Sequence, residues 1–312
     1  LDQDSTLFPH LAHAYVYTLP TRSPSPPPSP PPRYLPSSAK VWDAITGAEL
    51  YTFAHKHIVK TVEFSPDSRK FVSGGHEGKL RLFDLVEPEA PAVVIDLPPP
   101  SSGGTTSITK VIWDRTDSNR VITGTSDGKV RAWDLRSRQE IHSAEVQGEK
   151  AAEGSRMERR WEGGWLSSTN ALLVFPTLTS FILFRPFIDV YKIGTVMDLE
   201  LSPTVGDILT ICAGDKVTFL DASSLLPLKS FQMPMHFREE GGASLHPDRQ
   251  LFIAGGSDLW VRVFDFNTGA ELECHKGHHG PVRCLRYAPE GGTYATGSED
   301  GTVRIWATQV DA

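Results

Sequence analysis

The twelve residues ATGSEDGTVRIW, Ala295–Trp306, have weaker copies along the chain. VITGTSDGKVRAWD spans Val121–Asp134, FVSGGHEGKLRLFD spans Phe71–Asp84 and FIAGGSDLWVRVFD spans Phe252–Asp265. A chain that repeats itself builds one small unit several times and stacks the copies, because a single copy cannot bury its apolar face alone. Anchored on the residue that ends each copy, the repeats fall at Asp43, Asp84, Asp134, Asp221, Asp265 and Ala307. The intervals are 41, 50, 87, 44 and 42 residues. A unit of ~40–45 residues accounts for three of them, and the interval of 50 fits the same unit with a long loop. The interval of 87 holds either two units or one unit and an insertion.

The last copy shows the local rules. Gly277-His278 opens it. Strict alternation through Pro281–Tyr287 puts Val282 and Cys284 on one face and Leu285 and Tyr287 on the other, as in a strand covered on both sides. Ala288–Gly292 is a turn, with Pro presetting φ and Gly supplying positive φ. Thr293–Ser298 reads as a second strand. Glu299-Asp300-Gly301 reads as an Asp-Gly hairpin, and Thr302–Trp306 as a third strand rich in β-branched residues. A fourth strand follows each anchor, as in AELYTF (Ala48–Phe53) and AELECH (Ala270–His275). Four short strands at this period are the blade of an all-β propeller.

These residues resemble the WD-repeat family. The resemblance implies that a His, a strand hydroxyl, a turn Asp and a strand Trp form a buried hydrogen-bond network in each blade. The matching set in the last copy is His278, Thr296 (or Ser298), Asp300 and Trp306. A satisfied buried network pins one packing. His, Asp and a hydroxyl also suggest a hydrolytic triad, but a set that recurs with the blade is structural, and no catalytic residue is assigned. Other copies keep parts of the set: Thr123, Asp127 and Trp133 in one, His55, Ser73 and Glu77 beside Phe83 in another, and Asp258 beside Phe264 in a third.

The likeness goes further. SAKVWDAITGAELYTFAHKHIVKTVEFSPDS (Ser38–Ser68), ASLHPDRQLFIAGG (Ala243–Gly256) and NTGAELECHKGHHGPVRCLRYAPEG (Asn267–Gly291) are similar to one branch of that family, which associates with serine/threonine kinase receptors. That resemblance implies a protein-interaction scaffold of the cytoplasm and nucleus. Its implied setting is the survival-of-motor-neuron complex, which assembles spliceosomal small nuclear ribonucleoproteins for mRNA splicing. Its implied partners are components of that complex and an RNA-binding protein, and in animals it implies regulation of TGF-β receptor signalling. The alternative is the propeller subunit of the third eukaryotic translation initiation factor.

Two stretches depart from the pattern. Residues 1–37 hold the Ser/Pro-rich run Pro20–Pro36, which cannot donate to a sheet ladder and reads as a disordered, extended linker. Leu11–Leu19 is a candidate surrogate strand within it. PPSPPPR (Pro27–Arg33) fits a polyproline ligand as well as an inert linker, and Ser23 and Ser25 precede Pro. Removing residues 147–193 shortens the interval of 87 to 40, which restores one blade, so this stretch reads as a poorly structured insertion. Its apolar run Ala171–Phe184 is interrupted by Pro176 and falls short of the ~20 residues of a membrane span. The expected organisation is therefore the N-terminal segment 1–37, blades over 38–146, the insertion 147–193 and blades over 194–312. That is five full blades and a fragment of a nominal seven-blade ring.

The net charge of −7, with Lys and Arg dispersed, argues against direct nucleic-acid binding. Cys212, Cys274 and Cys284 show no CxxC spacing, which points to a reducing compartment. Cys274, His275, His278, His279 and Cys284 match no common zinc spacing, and neither a metal nor a cofactor is expected. By the family resemblance, partners meet the loops at the start of each innermost strand and beside the turn Asp. The candidates there are His57, Lys60, His76, Ser126, Ser257, Arg283 and Glu299.

Overall fold

The structure, a computed structural model, describes residues 37–43, 45–99, 105–146, 194–202, 204, 206–237 and 241–308. All of its sheets lie in the compact unit formed by Leu1–Gly148 and Tyr191–Ala312. The second unit, Glu149–Val190, and the features expected at Leu11–Leu19, Ser23, Ser25, Pro27–Arg33 and Ala171–Phe184 lie outside the described residues.

The described residues are strands and turns. They form six antiparallel sheets, each a meander in chain order. β1 (Ser37–Trp42) and β2 (Glu49–His55) make a two-stranded fragment. β3 (Val59–Phe64), β4 (Lys70–Gly75), β5 (Lys79–Asp84) and β6 (Val93–Asp96) form the first four-stranded sheet. β7 (Ile108–Trp113), β8 (Arg120–Thr125), β9 (Lys129–Asp134) and β10 (Gln139–Glu145) form the second. Then come β11 (Val196–Leu201), β12 (Ile208–Asp221) and β13 (Pro227–Phe237). The next four-stranded sheet is β14 (Gly242–Leu245), β15 (Leu251–Gly255), β16 (Trp260–Asp265) and β17 (Glu271–Lys276). β18 (Val282–Tyr287), β19 (Thr293–Ser298) and β20 (Val303–Ala307) end the series. This last copy was expected as a full blade and shows three strands among the described residues.

β12 behaves as two strands. Leu209–Ala213 pairs with β11, while Lys216–Leu220 pairs with β13. The buried parity inverts between the halves. Leu209, Ile211 and Ala213 face one apolar cluster, but Val217 and Phe219 face the other. Gly214 sits at the inversion with φ 62°, a value glycine adopts freely. The 40-residue blade left by removing 147–193 therefore has its four strand segments.

Five apolar clusters fill the gaps between successive sheets. The first strands β3, β7, β11, β14 and β18 neighbour one another in turn, and β3, β7, β11 and β18 line a shared cavity of about 760 Å³. The sheets thus radiate from one axis, as in a WD-repeat propeller. Among the described residues no helix is long and apolar enough to cross a membrane.

The repeated residues have local reasons. Asp43, Asp84, Asp134, Asp221 and Asp265 each accept a backbone N–H from two or three residues ahead, which closes the turn between third and fourth strands. The second-strand glycine of three sheets admits an aliphatic side chain of the following sheet. A Cβ on Gly74 would stand 2.6 Å from Ile108, one on Gly124 2.6 Å from Val196, and one on Gly255 3.0 Å from Leu285 and Val282.

Strict alternation fails in the innermost strands. Register shifts at Val59/Thr61, Ile108/Lys110, Val196/Asp198 and Val282/Cys284 make Lys60, Thr109, Met197 and Arg283 the extra residues of β-bulges. The bulge at Arg283 places Val282, Leu285 and Tyr287 on one buried face and leaves Cys284 exposed. The expectation that Val282 and Cys284 share a covered face is corrected by that one residue.

The ends of the proposed insertion are close. The carbonyl oxygens of Gly194 and Val146 lie 2.7 and 3.7 Å from the point where a Cβ on Gly128 would stand. A direct join of Val146 to Gly194 is expected to keep the circular-dichroism spectrum. By loop-closure entropy it is expected to raise stability by about 1–2 kcal/mol. Loss of cooperative melting in the shortened chain would show that residues 147–193 belong to the fold.

Candidate functional site

The polar groups that resemble catalytic residues are placed inside the sheets. In β18–β20, Trp306 Nε1 donates to Thr296 Oγ1 at 2.9 Å, and Thr296 Oγ1 lies 2.8 Å from His278 Nε2. His278 Nδ1 lies 3.2 Å from both Asp300 Oδ2 and Thr302 Oγ1. The distances suit a neutral His278 that donates from Nδ1 to the Asp300 carboxylate and accepts the Thr296 hydroxyl proton at Nε2. The Thr302 hydroxyl and the His279 amide hold the Asp300 carboxyl well below the usual carboxylate range. Ser298 instead donates to Gly280 O at 2.8 Å.

The other sheets divide this set. Trp133 Nε1 donates to Thr123 Oγ1 at 2.9 Å, but Asp127 pairs with Arg131 Nη2 at 2.6 Å and with the Thr125 hydroxyl. His55 Nε2 lies 2.8 Å from Ser73 Oγ, while Glu77 pairs with Arg81 Nη2 at 2.6 Å. Asp258 pairs with Arg262. Arginine four residues after the turn carboxylate thus takes the carboxylate, both where a histidine still meets the strand hydroxyl, as at His55, and beside Asp127, which pairs with no histidine. Glu140 and Glu271 approach the Nε atoms of Arg131 and Arg262 at 3.5 and 3.2 Å, extending each cluster to the fourth strand. Sequence reasoning missed these arginines, although the spacing was present at Glu77/Arg81, Asp127/Arg131, Asp258/Arg262 and Asp300/Arg304.

The axis carries a second charged cluster. Arg286 grips Asp198 with both guanidinium nitrogens, at 2.6 and 2.8 Å, and Lys110 Nζ lies 3.4 Å from the same carboxylate. Burial pushes the Asp198 carboxyl up, but Arg286 and Lys110 outweigh it and hold it below its ordinary value. Glu200 accepts from Ser244 Oγ at 3.0 Å, and burial pushes its carboxyl up to about 7. These residues tie β7, β11, β14 and β18 together. Among the described residues no group of three or more His, Cys, Asp or Glu is arranged to hold a metal.

The seven rim candidates lie at strand starts and hairpins. His57 and Lys60 are exposed at the start of β3, and the His57 ring packs 5.3 Å from that of His76. His76 N donates to Ile58 O at 3.0 Å, clipping the hairpin to the strand start. Arg283 is ion-paired with exposed Glu299, whose N–H donates to Pro281 O at 3.0 Å. Ser126 Oγ accepts from Ser107 N at 3.0 Å, and exposed Ser257 donates to His236 O at 3.1 Å. Lys60 and Arg283 occupy equivalent bulges, which re-aim a side chain relative to the pleat. Thr109 and Met197 hold the same position in β7 and β11 and were overlooked. Like Lys60 and Arg283, each stands four residues before the end of its strand.

Comparison with known proteins gives a consistent result. The model of the WD domain, G-beta repeat, matches residues 47–84 and 269–307. Serine-threonine kinase receptor-associated proteins of Rattus norvegicus and Homo sapiens are 37% identical over 273 residues, covering 88% of this chain and 61% of theirs. The protein of that name in Dictyostelium discoideum is 36% identical over 269 residues, covering 86% of this chain and 72% of its own. The eukaryotic translation initiation factor 3 subunit I of Culex quinquefasciatus is 24% identical over 294 residues, covering 86% and 74%. The chain spans less than two thirds of the length of the rat and human relatives.

Proposed function

From a chain that belongs to the family of serine-threonine kinase receptor-associated proteins, WD-repeat propellers, we propose a non-catalytic scaffold that holds other proteins on the strand-start rim. The observation that carries this reading is the use of His278, Asp300 and Thr296 in a closed chain ending on the Trp306 indole. A hydrolytic site needs a nucleophile and base facing bound substrate, and this set faces the sheet interior. The rim offers exposed, chemically varied loop residues on rigid strands, a common arrangement for recognition.

The finer reading is support of spliceosomal small ribonucleoprotein assembly within the survival-of-motor-neuron complex, in cytoplasm and nucleus. The relatives' name also favours contact with a serine-threonine kinase receptor. Affinity purification with mass spectrometry separates the readings. Ribonucleoprotein assembly factors in the eluate support the first, and initiation-factor subunits in their place support the translation alternative.

The double substitution Lys60→Glu with Arg283→Glu reverses charge at two equivalent bulges. It is expected to weaken recovery of the partner about tenfold, or about 1.4 kcal/mol. Circular dichroism and melting temperature are expected to stay unchanged. Undiminished recovery would remove this rim as the binding surface.

A further inference from the structure

One hairpin breaks the repeat at three positions at once. The hairpins between second and third strands read Glu77-Gly78-Lys79, Asp127-Gly128-Lys129, Asp258-Leu259-Trp260 and Asp300-Gly301-Thr302. The middle residue of each is left-handed, with φ 68° at Gly78, 79° at Gly128 and 78° at Gly301. Leu259 holds the same conformation at φ 71°, where its Cβ crowds a carbonyl oxygen that glycine clears. Strain of this kind persists only where the surroundings enforce it, and it gathers at binding sites. Here Asp258 is held by Arg262, and Ser257 donates to His236 O of the preceding sheet at 3.1 Å. The hairpin lies inside the series, since β14 meets β11 and β12 on one side and β18 on the other.

The other two departures concern charge. Across the third and fourth strands Lys79 faces Asp96 and pairs with it at 2.7 Å, and Lys129 faces Glu145. In β16–β17 the same cross-strand position sets Trp260 against Lys276. The lysine has changed strands and no acid faces it. Lys276 Nζ lies 4.3 Å from the centre of the Trp260 ring, and among the described residues it has no carboxylate partner. Arg262, 5.2 Å from the same ring, is buried and already neutralised by Asp258 and Glu271. Trp260 is 36% exposed, and Lys276 is exposed beside it.

We propose that Trp260 and Lys276 anchor an acidic segment of a partner protein. An aspartate or glutamate side chain of that segment pairs with the Lys276 ammonium, and an adjoining apolar side chain covers the indole. This rests on the rim reading above and names the chemistry of what the rim takes up. A carboxylate from outside completes at Lys276 the pair that β5–β6 makes internally between Lys79 and Asp96. The tryptophan adds a large, rigid apolar surface at low entropic cost, the property that enriches Trp at binding hot spots. The enforced left-handed turn holds both side chains in place before the partner arrives, so little ordering opposes binding.

Fluorescence anisotropy of the full chain with a labelled octapeptide of alternating Glu and Leu tests the proposal, with the Lys and Leu octapeptide as comparison. Preferential binding of the acidic peptide is expected, weaker at high salt. Trp260→Ala and Lys276→Glu are each expected to lower that affinity about tenfold with the circular-dichroism spectrum unchanged. Lys276→Arg is expected to keep it. Lys79→Glu, which removes a lysine whose acid is internal, is expected to leave it as it is. Absence of binding to the acidic peptide would overturn the proposal. So would equal affinity for the two peptides, or an affinity untouched by both Trp260→Ala and Lys276→Glu. The rim reading is decided separately by the Lys60→Glu with Arg283→Glu pair, which is read on the recovered partner and not on this peptide.

Discussion

Arg131→Ala is expected to cost about 3–5 kcal/mol of stability at neutral pH, the range for removing one partner of a buried ion pair. The Arg131 side chain is 4% exposed and that of Asp127 13%. Burial pushes the Asp127 carboxyl up, but Arg131 and the Thr125 hydroxyl outweigh it and hold the group below its ordinary value. Without the guanidinium, Asp127 keeps a hydroxyl and the Lys129 amide as donors while remaining buried. The sign with pH follows. A depressed carboxyl contributes stability that is present above its unfolded value and lost as pH falls through the folded one. The gap between wild type and variant should therefore narrow on acidification below about pH 4. Arg131→Lys should recover only part of the loss, because an ammonium cannot reproduce the fork. Urea unfolding at pH 7 and pH 3.5 measures both effects, and a loss under about 1 kcal/mol at pH 7 would show that the cluster is not structural.

Arg286→Met is expected to cost roughly 3 kcal/mol by a different route. Asp198 is 4% exposed, and Arg286 supplies its two short contacts. The variant leaves Lys110 at 3.4 Å as the remaining cation beside it. Burial then dominates the Asp198 carboxyl, whose folded pKa rises above the unfolded value. A raised carboxyl gains stability as pH falls, so the variant should recover against wild type between about pH 7 and pH 5. Melting curves across that window check the direction. A deficit that stays constant with pH would mean that the loss comes from packing of the Arg286 stem.

The fold was legible because its signals are local and repeated. The anchor aspartates close turns within three residues, so they mark five of the six repeats without any knowledge of neighbours. The glycines of the second strands and hairpins recur for the same reason. The proposed insertion rests on arithmetic, since removing residues 147–193 brings the interval of 87 back to one period. What escaped depends on contacts between strands. A single bulged residue at Arg283 inverts the faces that alternation assigned to Val282 and Cys284. The arginines that pair with the turn carboxylates look like solvated strand residues until the carboxylate is seen folded over them. Lys60 and Arg283 could be matched by counting back from the end of their strands. Thr109 and Met197 satisfy the same count, but neither carries a charge to draw notice.

The glycines at positions 74, 124 and 255 have a geometric consequence. Each lets a neighbour's methyl groups rest almost on the backbone, so the wedge angle between adjacent sheets depends on a missing side chain. A methyl group added there acts at the narrow end of the wedge and swings the broad end outward. The curvature of the stack is thus sensitive, at three of its junctions, to the smallest residue of the second strand.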